Sequence, residues 1–331
     1  MPFLETIGTA SAQAYEIGSP TSAPPLFTFP VGTLFPFSTG GIGGTNGGTS
    51  NPGVTTGPTL AQVVATYSTV TWPWITNTVY FNMRSYQGYQ QFTIPATGTY
   101  AIVCSGASGG YNQGSGTIPG GAVASGIFTL TQGQILTFVI GQVGGYSPYN
   151  GQGPCGGGGT FVFVSSGTFS TATALIVAGG AGGSATGDGG SYIYGLGQLG
   201  TSGGASGDNV YVGGTNGSGG QTNFGNDGQG GAGISSGPTS PIGGTPPTAI
   251  SLGGVGGYLQ YSSYGGFGGG GGFWGGGGGG GGYSGGAPGH WSPGATGGGG
   301  GSYIATGATA SGIAQSGLAL YNGAASIQRI S

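Results

Sequence analysis

The feature that most constrains the fold is a set of unbroken glycine runs, at residues 156–159, 268–272, 275–282 and 297–301. Ordering a glycine backbone costs roughly 1–2 kcal/mol per residue, so these runs stay ordered only when several pack side by side. Polyproline-II-type helices allow such packing, because their backbone groups point outward to neighbouring segments. No Gly-X-Y period is present, which argues against collagen. The runs therefore predict a bundle of polyglycine-II helices.

Short segments rich in β-branched and aromatic residues lie between the glycine runs, and they predict β-strands. The expected strands are residues 91–95, 99–104, 126–130, 135–140, 160–164, 174–178 and 325–330. One short helix is expected from Pro58 to Tyr67, where four apolar residues share a face. The predicted fold class is all-β, a β-sandwich with an inserted bundle of polyglycine-II helices.

The chain divides into two predicted regions. Residues 1–35 form an apolar, proline-punctuated arm, interpreted either as a disordered leader or as a strand that docks on a neighbouring subunit. The expected docking residues are Phe3, Leu4, Ile7, Phe27, Phe29, Leu34 and Phe35. Residues 36–331 form the glycine-rich domain, with a linker at 38–58. Its sandwich strands are expected at about 86–178 and 320–331, and its bundle at about 105–125, 144–159 and 179–317.

Charge is almost absent, and this excludes several functions. The chain has five acidic residues, two arginines and no lysine, which is 2% of the sequence. Nucleic-acid binding needs many cations to displace counterions from phosphates. No stretch reaches the roughly 18 apolar residues of a membrane span. Weak self-repulsion favours association, so a homo-oligomer or a permanent assembly is expected.

Catalytic and metal-binding motifs are not recognisable. His290 is the single histidine and no cysteine pair has ligand spacing, so no zinc site is expected, and no nucleophile elbow accompanies the histidine. Asp188, Asp208 and Asp227 lie in glycine-rich loops, where aspartate usually bonds its own backbone in an Asx-turn. A P-loop is impossible without lysine. We therefore expect a non-catalytic protein with no cofactor and no metal.

Two cysteines, Cys104 and Cys155, are too few to define a disulfide framework. They could pair, but the favoured interpretation is two small buried hydrophobic residues.

Aromatic residues flank the glycine runs and have two interpretations. In the first, their rings cover a bundle that has few side chains of its own. In the second, they form a recognition tip on rigid loops for a host surface glycan or protein, within residues 192–211 and 258–291. The candidate binding residues are Tyr192, Tyr194, Tyr258, Tyr261, Tyr264, Phe273, Trp274 and Trp291.

Several motifs, in order, resemble the extracellular glycine-rich domain of the anaplastic lymphoma and leukocyte tyrosine kinase receptors, a domain type also seen in phage and large-virus proteins. They include Gly-Pro-Thr-Leu-Ala-Gln at 57–62, Phe-Thr-Ile-Pro-Ala-Thr-Gly-Thr-Tyr at 92–100 and Gly-Ala-Ser-Gly-Gly at 106–110. The series continues at 126–130, 136–144, 156–162, 175–180 and 265–283, so it spans roughly residues 36–331. The resemblance implies a TNF-like or jelly-roll β-sandwich joined to a bundle of polyglycine-II helices. The acidic cytokine-binding residues of those receptors have no counterpart here, so that activity is not implied.

The expected function is therefore structural: a subunit of a fibrous virion appendage, such as a phage or large-virus tail or neck fibre. A second hypothesis, compatible with the first, is that the chain forms the receptor-binding tip of that appendage. The alternative is a self-assembling extracellular filament or adhesin of a microbial cell. The segment from Met1 to Thr6 has no basic residue, so no signal peptide is expected. The expected location is the virion surface or the extracellular space.

Overall fold

A computed structural model describes residues 29–40, 56–67, 74–83, 85–110, 118–147, 153–164, 167–185, 192–221, 227–238, 244–259, 264–291, 295–315 and 321–331. Within these ranges the chain forms one α-helix, two short 3-10 helices and eleven strands arranged in two antiparallel sheets. All-β architecture is therefore confirmed, whereas the jelly-roll connectivity stays a prediction.

Sheet A has five strands in the order β1-β11-β4-β5-β10. Their bounds are β1 Leu34–Phe37, β4 Gly98–Ser105, β5 Ala122–Leu130, β10 Thr309–Gln315 and β11 Ala324–Arg329. Sheet B has six strands in the order β2-β3-β6-β7-β8-β9. Their bounds are β2 Phe81–Met83, β3 Tyr89–Thr93, β6 Ile135–Val139, β7 Thr160–Val164, β8 Ala174–Ala178 and β9 Tyr303–Ile304.

The main core lies between the two sheets, because side chains alternate between the two faces of each strand. In β5, for example, Ala124 and Phe128 are buried while Ser125 and Thr129 face outward. Aromatic rings dominate this core, and Phe37 of sheet A stacks on Phe138 of sheet B at a centroid distance of 3.7 Å. Such aromatic burial supplies the hydrophobic driving force that the glycine tracts lack.

Helix α1, Leu60–Tyr67, closes one side of this core with Val63 and Tyr67. Thr59 and Gln62 form a capping box at its start: the Thr59 backbone N–H donates to Gln62 Oε1 at 2.8 Å, and the Gln62 N–H donates to Thr59 Oγ1 at 3.3 Å. The predicted helix is confirmed at this place.

A second, smaller core covers the outer face of sheet B. Tyr89, Phe161 and Phe163 project from strands on that face and meet Ile250 and Phe267 from the glycine-rich part of the chain. The Tyr89 hydroxyl also bonds the Ile250 carbonyl oxygen at 2.5 Å. Sheet B is thus buried on both faces, which explains why β7 reads as a continuous apolar run.

The glycine bundle, defined as residues 106–110, 141–147, 153–159, 178–185, 195–207, 212–221, 227–233, 265–272, 275–291 and 295–302, is held by backbone hydrogen bonds between segments. The N–H groups of residues 157, 158 and 159 donate to three different segments, at Ala181, Gln142 and Gly268. Three residues earlier, residues 155 and 156 donate to two of the same segments, at Gly145 and Gly271. The bonds to a given neighbour therefore recur every three residues.

The longest glycine run repeats this pattern. Residues 277 and 280 donate to Ala295 and Gly298, residues 278 and 281 to Pro154 and Gly157, and residues 279 and 282 to Gln229 and Ala232. Each set of three consecutive residues thus donates backbone hydrogen bonds to three neighbouring segments. Buried backbone groups need partners, and this arrangement supplies them without a regular sheet or α-helix.

Glycine is required in the bundle because the backbones lie in contact. A Cβ atom placed on Gly158 would collide with the carbonyl oxygen of Phe267, and one on Gly183 with that of Pro154. Most of these glycines do not adopt a positive φ; in the stretch 264–291 only Gly268 and Gly269 do. Space between segments, and not backbone freedom, therefore selects glycine here.

The strand predictions at 160–164 and 174–178 are confirmed at their predicted bounds, and the other five are confirmed within a few residues. Strands β9 and β10 lie inside the range predicted as bundle, 179–317, so that boundary is wrong. Both Cys104 and Cys155 are free and buried, as favoured.

The prediction that Phe29 and Phe35 dock on a neighbouring subunit is wrong. Both side chains are 0% exposed in this chain's own core, and Phe35 belongs to β1, which pairs with β11. The arm boundary at residue 35 therefore cuts through a strand. Leu34 is 53% exposed, whereas Phe3, Leu4, Ile7 and Phe27 lie outside the described residues.

Candidate functional site at the outer end of the glycine bundle

The glycine bundle has one end at the sandwich and one end away from it. Segment 153–159 runs into β7, segment 179–185 continues from β8, and segment 295–302 leads to β9. The opposite ends of these segments form the outer end, where Gly153 bonds Gly275, Gly277 bonds Ala295, and Gly228 bonds Gly289. The six residue-to-residue steps from Gly159 to Gly153 span at most about 20 Å.

A polar cluster occupies this outer end: Ser206, Asp208, Tyr211, Asp227, His290 and Trp291. The Asp208 Oδ2 atom lies 3.3 Å from His290 Nδ1, a contact that becomes an ion pair when the imidazole is protonated. The two atoms are not aligned as in a hydrogen bond, so their interaction is electrostatic. Asp208 Oδ1 accepts bonds from the Ser206 hydroxyl at 2.7 Å and from the Val210 N–H at 3.2 Å. The last bond is the expected Asx-turn.

Asp227 joins two aromatic residues in the same cluster. Its Oδ1 atom accepts the backbone N–H of Trp291 at 2.6 Å, and its Oδ2 atom accepts the Tyr211 hydroxyl at 2.9 Å. The Tyr211 ring meets the His290 ring edge-on at a centroid distance of 6.0 Å. Asp227 is 7% exposed, whereas Trp291 is 54% exposed. A buried carboxylate thus fixes the backbone that presents an exposed indole ring.

Tyr211 is held in its neutral form by its surroundings. Burial, followed by the hydrogen bond to Asp227 and the charges of Asp227 and Asp208, raises the pKa of Tyr211 to about 12. The hydroxyl therefore remains a hydrogen-bond donor to Asp227 throughout the physiological pH range.

The cluster does not have the geometry of a hydrolytic triad. Ser206 bonds Asp208 and the backbone of Tyr211, and it makes no hydrogen bond with His290. A nucleophilic serine would instead have to reach the imidazole. Among the described residues no group of three His, Cys, Asp or Glu side chains can hold a metal ion.

The structure separates the predicted aromatic residues into different environments. Phe273 is 0% exposed, so its predicted role in binding a ligand is wrong. Tyr258 and Tyr264 stack at a centroid distance of 4.6 Å and also share a backbone bridge. Tyr194 and Trp274 are partly buried. Tyr261 and the side chain of Tyr192 lie outside the described part of the chain.

Of the predicted binding residues, Trp291 alone lies in the polar cluster. Sequence reasoning considered Asp208, Asp227 and His290 one by one and did not bring them together, because they are far apart along the chain. The predicted loop 192–211 includes Val210 and Tyr211, but neither was named as a binding residue, and Val212 was left out; the two valines are 52% and 61% exposed. The apolar run Val-Tyr-Val at 210–212, which follows Asp208 and Asn209, was the available signal.

Comparison with known proteins adds no family to these observations: no protein-family model and no curated protein matches the chain. Across the described residues there is also no helix with the length and apolar character needed to span a bilayer.

Proposed function

We propose that this chain is a non-catalytic structural subunit of a fibrous virion appendage, in which the glycine bundle is a rigid arm and its outer end contacts a host surface. The observation that carries the proposal is the backbone bonding of the bundle, which recurs every three residues and reaches three neighbouring segments. Such an arm is stiff without charge and with little hydrophobic burial.

The three-residue period supports assigning the segments as polyglycine-II helices, which have three residues per turn. The resemblance to the receptor glycine-rich domain rests on motifs that lie mainly in the sandwich and bundle, and it agrees with this assignment. The resemblance therefore supports the scaffold and not a particular binding activity, since fold alone does not fix a function.

The outer end supports a contact role. Trp291 is exposed there while its backbone is fixed by a buried carboxylate, and an aromatic ring that loses little freedom on binding suits recognition of a surface. Binding therefore falls to Trp291 and the segment 210–212, of which Val210 and Tyr211 lie in the predicted loop 192–211.

Amide hydrogen exchange tests the scaffold. Residues 155–159 and 277–282 should be protected to nearly the same extent as strands β4 and β5, because their N–H groups are bonded inside the bundle. Exchange at the rate of an open chain would remove the rigid arm and the proposed function with it.

Immunogold labelling tests the location. Antibodies against the folded chain should label the appendages of virus particles. Labelling confined to filaments or the surface of a cell would support the alternative, a microbial filament or adhesin.

A further inference from the structure

The two sheets differ in what covers their outer faces. On sheet B, Tyr89, Phe161 and Phe163 are buried beneath Ile250 and Phe267. On sheet A, the outward residues of every strand are exposed or half-buried, and among the described residues no other element packs on them. We infer that this outer face of sheet A is where a second copy of the chain packs, face to face, in the assembled appendage.

The strand register places the outward residues of sheet A in three long rows, with Thr99 and Thr129 as a shorter fourth row at one end. One row is Leu34, Gln328, Ala101, Ile127 and Thr309; the next is Pro36, Ser326, Val103, Ser125 and Gly312; the third is Ala324, Ser105, Val123 and Ala314. Val103 stands in the middle row on β4, the third of five strands, and is 40% exposed. It is therefore the centre of the face.

These rows contain no charged residue. The single charged side chain on the five strands is Arg329, which bonds the carbonyl oxygens of Ser331 and Thr97 at the end of the sheet. Protein surfaces that stay in contact with water usually carry charged residues of both signs. Two copies of this face can meet without burying an ion or placing like charges opposite each other, and this favours a copy of the chain as the occupant.

The size of the face fits such a contact. Five strands about 4.8 Å apart and three rows about 7 Å apart cover on the order of 450 Å². Packing two of these faces removes on the order of 1,000 Å² from water, the lower bound for a specific interface. A twofold axis near Val103 makes the contact self-complementary, with the two sheets about 10 Å apart, as in a β-sandwich.

This inference rests on the structural role proposed above, and it identifies the surface through which two copies of the chain associate. Sedimentation of the purified full chain at micromolar concentration tests it. We expect a dimer, and we expect Val103→Glu to raise its dissociation constant by roughly 100-fold, because two carboxylates would then face each other across the axis.

Gly312→Glu is the second variant. A Cβ at Gly312 meets nothing within 4 Å, so this change adds charge to the face without disturbing the fold, and it should also weaken the dimer. Leu252→Glu is the matched control, because Leu252 is 64% exposed at a different place and its replacement should leave the dimer intact.

A monomeric wild-type chain, or a dimer that tolerates both Val103→Glu and Gly312→Glu, would overturn the inference. A monomer whose glycine amides are still protected would remove this interface and leave the rigid arm standing, so the two proposals fail separately.

Discussion

Phe37 stacks on Phe138 with ring centroids 3.7 Å apart and ring planes 8° from parallel. Phe37 lies on β1, near the start of the described chain, and Phe138 lies on β6 in the opposite sheet. The predicted docking arm ends at Phe35, two residues before Phe37 on the same strand, and Phe35 is also buried in the hydrophobic core. Removal of the arm through Phe35 should therefore lower the free energy of unfolding, whatever its effect on assembly.

Phe37→Ala should lower the free energy of unfolding by about 3–5 kcal/mol, because it leaves a cavity between two packed sheets. Chemical denaturation monitored by circular dichroism measures this change. Leu34→Ala, on the same strand but 53% exposed, is the control and should cost less than about 1 kcal/mol. Equal effects of the two changes would contradict the placement of Phe37 in the core.

Truncation separates docking from folding. A chain that begins at residue 29 retains β1 and should unfold at nearly the same temperature as the full chain, whereas a chain that begins at residue 38 lacks Phe35 and Phe37 and should be strongly destabilised. If residues 1–28 dock on another protein, the first truncation should abolish assembly while the domain stays folded. Unchanged assembly would remove the docking role of Phe3, Leu4, Ile7 and Phe27.

Gly158→Ala should destabilise the chain by about 3 kcal/mol or more, because its new methyl group would collide with the Phe267 backbone, which cannot move aside like a side chain. Gly200→Ala is the matched control: a Cβ there meets nothing within 4 Å, and the change should be neutral or slightly stabilising. Thermal unfolding compares the two. A neutral Gly158→Ala would show that the bundle segments are not in backbone contact.

Asp227→Ala should lower the free energy of unfolding by about 2–3 kcal/mol, because it leaves the Trp291 N–H and the Tyr211 hydroxyl without their acceptor. It should also loosen Trp291. In contrast, Trp291→Ala removes an exposed ring and should leave stability nearly unchanged while weakening binding to host surfaces. Denaturation and cell-binding measurements on both variants separate positioning from contact.

The raised pKa of Tyr211 gives a pH dependence with a definite sign. The folded pKa is about 12 and the unfolded value is 10.0, so the stability linked to this group is fully present below pH 10.0 and is lost as the pH rises towards 12. The stability difference between the wild type and Tyr211→Phe, measured across that window, should shrink with increasing pH. Asp227→Asn should lower the pKa of Tyr211, although burial keeps it above 10.0. A stability difference between the wild type and Tyr211→Phe that stays constant from pH 10.0 to 12 would contradict the assigned environment of Tyr211.

Both cysteine thiols should be unreactive in the folded protein. Cys104 and Cys155 are 0% exposed, and burial raises the pKa of Cys155 to about 12 and that of Cys104 further. A thiol reagent at mildly alkaline pH should modify neither residue until denaturant is added, and then both. Rapid reaction before unfolding would contradict their burial.

The sequence predicted those strands whose pattern is local. β7 and β8 are compact runs of β-branched and aromatic residues next to glycine, and their predicted bounds are confirmed. β10 escaped prediction because Thr-Ala-Ser-Gly-Ile-Ala-Gln carries almost no apolar signal and is a strand through its pairing with β5. β1 contains Pro36, which is tolerated because β1 is an edge strand of sheet A.

The candidate site could not be predicted as a unit for a related reason. Asp208, Asp227 and His290 come together because the bundle folds three separate segments to one end, and the spacing of glycines does not reveal which ends meet. Local chemistry was predictable, as the Asx-turn of Asp208 shows. The long-range partner of Asp208, His290, was not.

The bonding of the glycine bundle in three directions has a mechanical consequence. A strand at the edge of a sheet can be peeled away one bond at a time, since it has a partner on one side alone. Segment 153–159 has partners on several sides, so tearing it out breaks bonds to all of them together. A load applied along the bundle is therefore shared by hydrogen bonds across its whole cross-section, and a single segment cannot be separated one bond at a time.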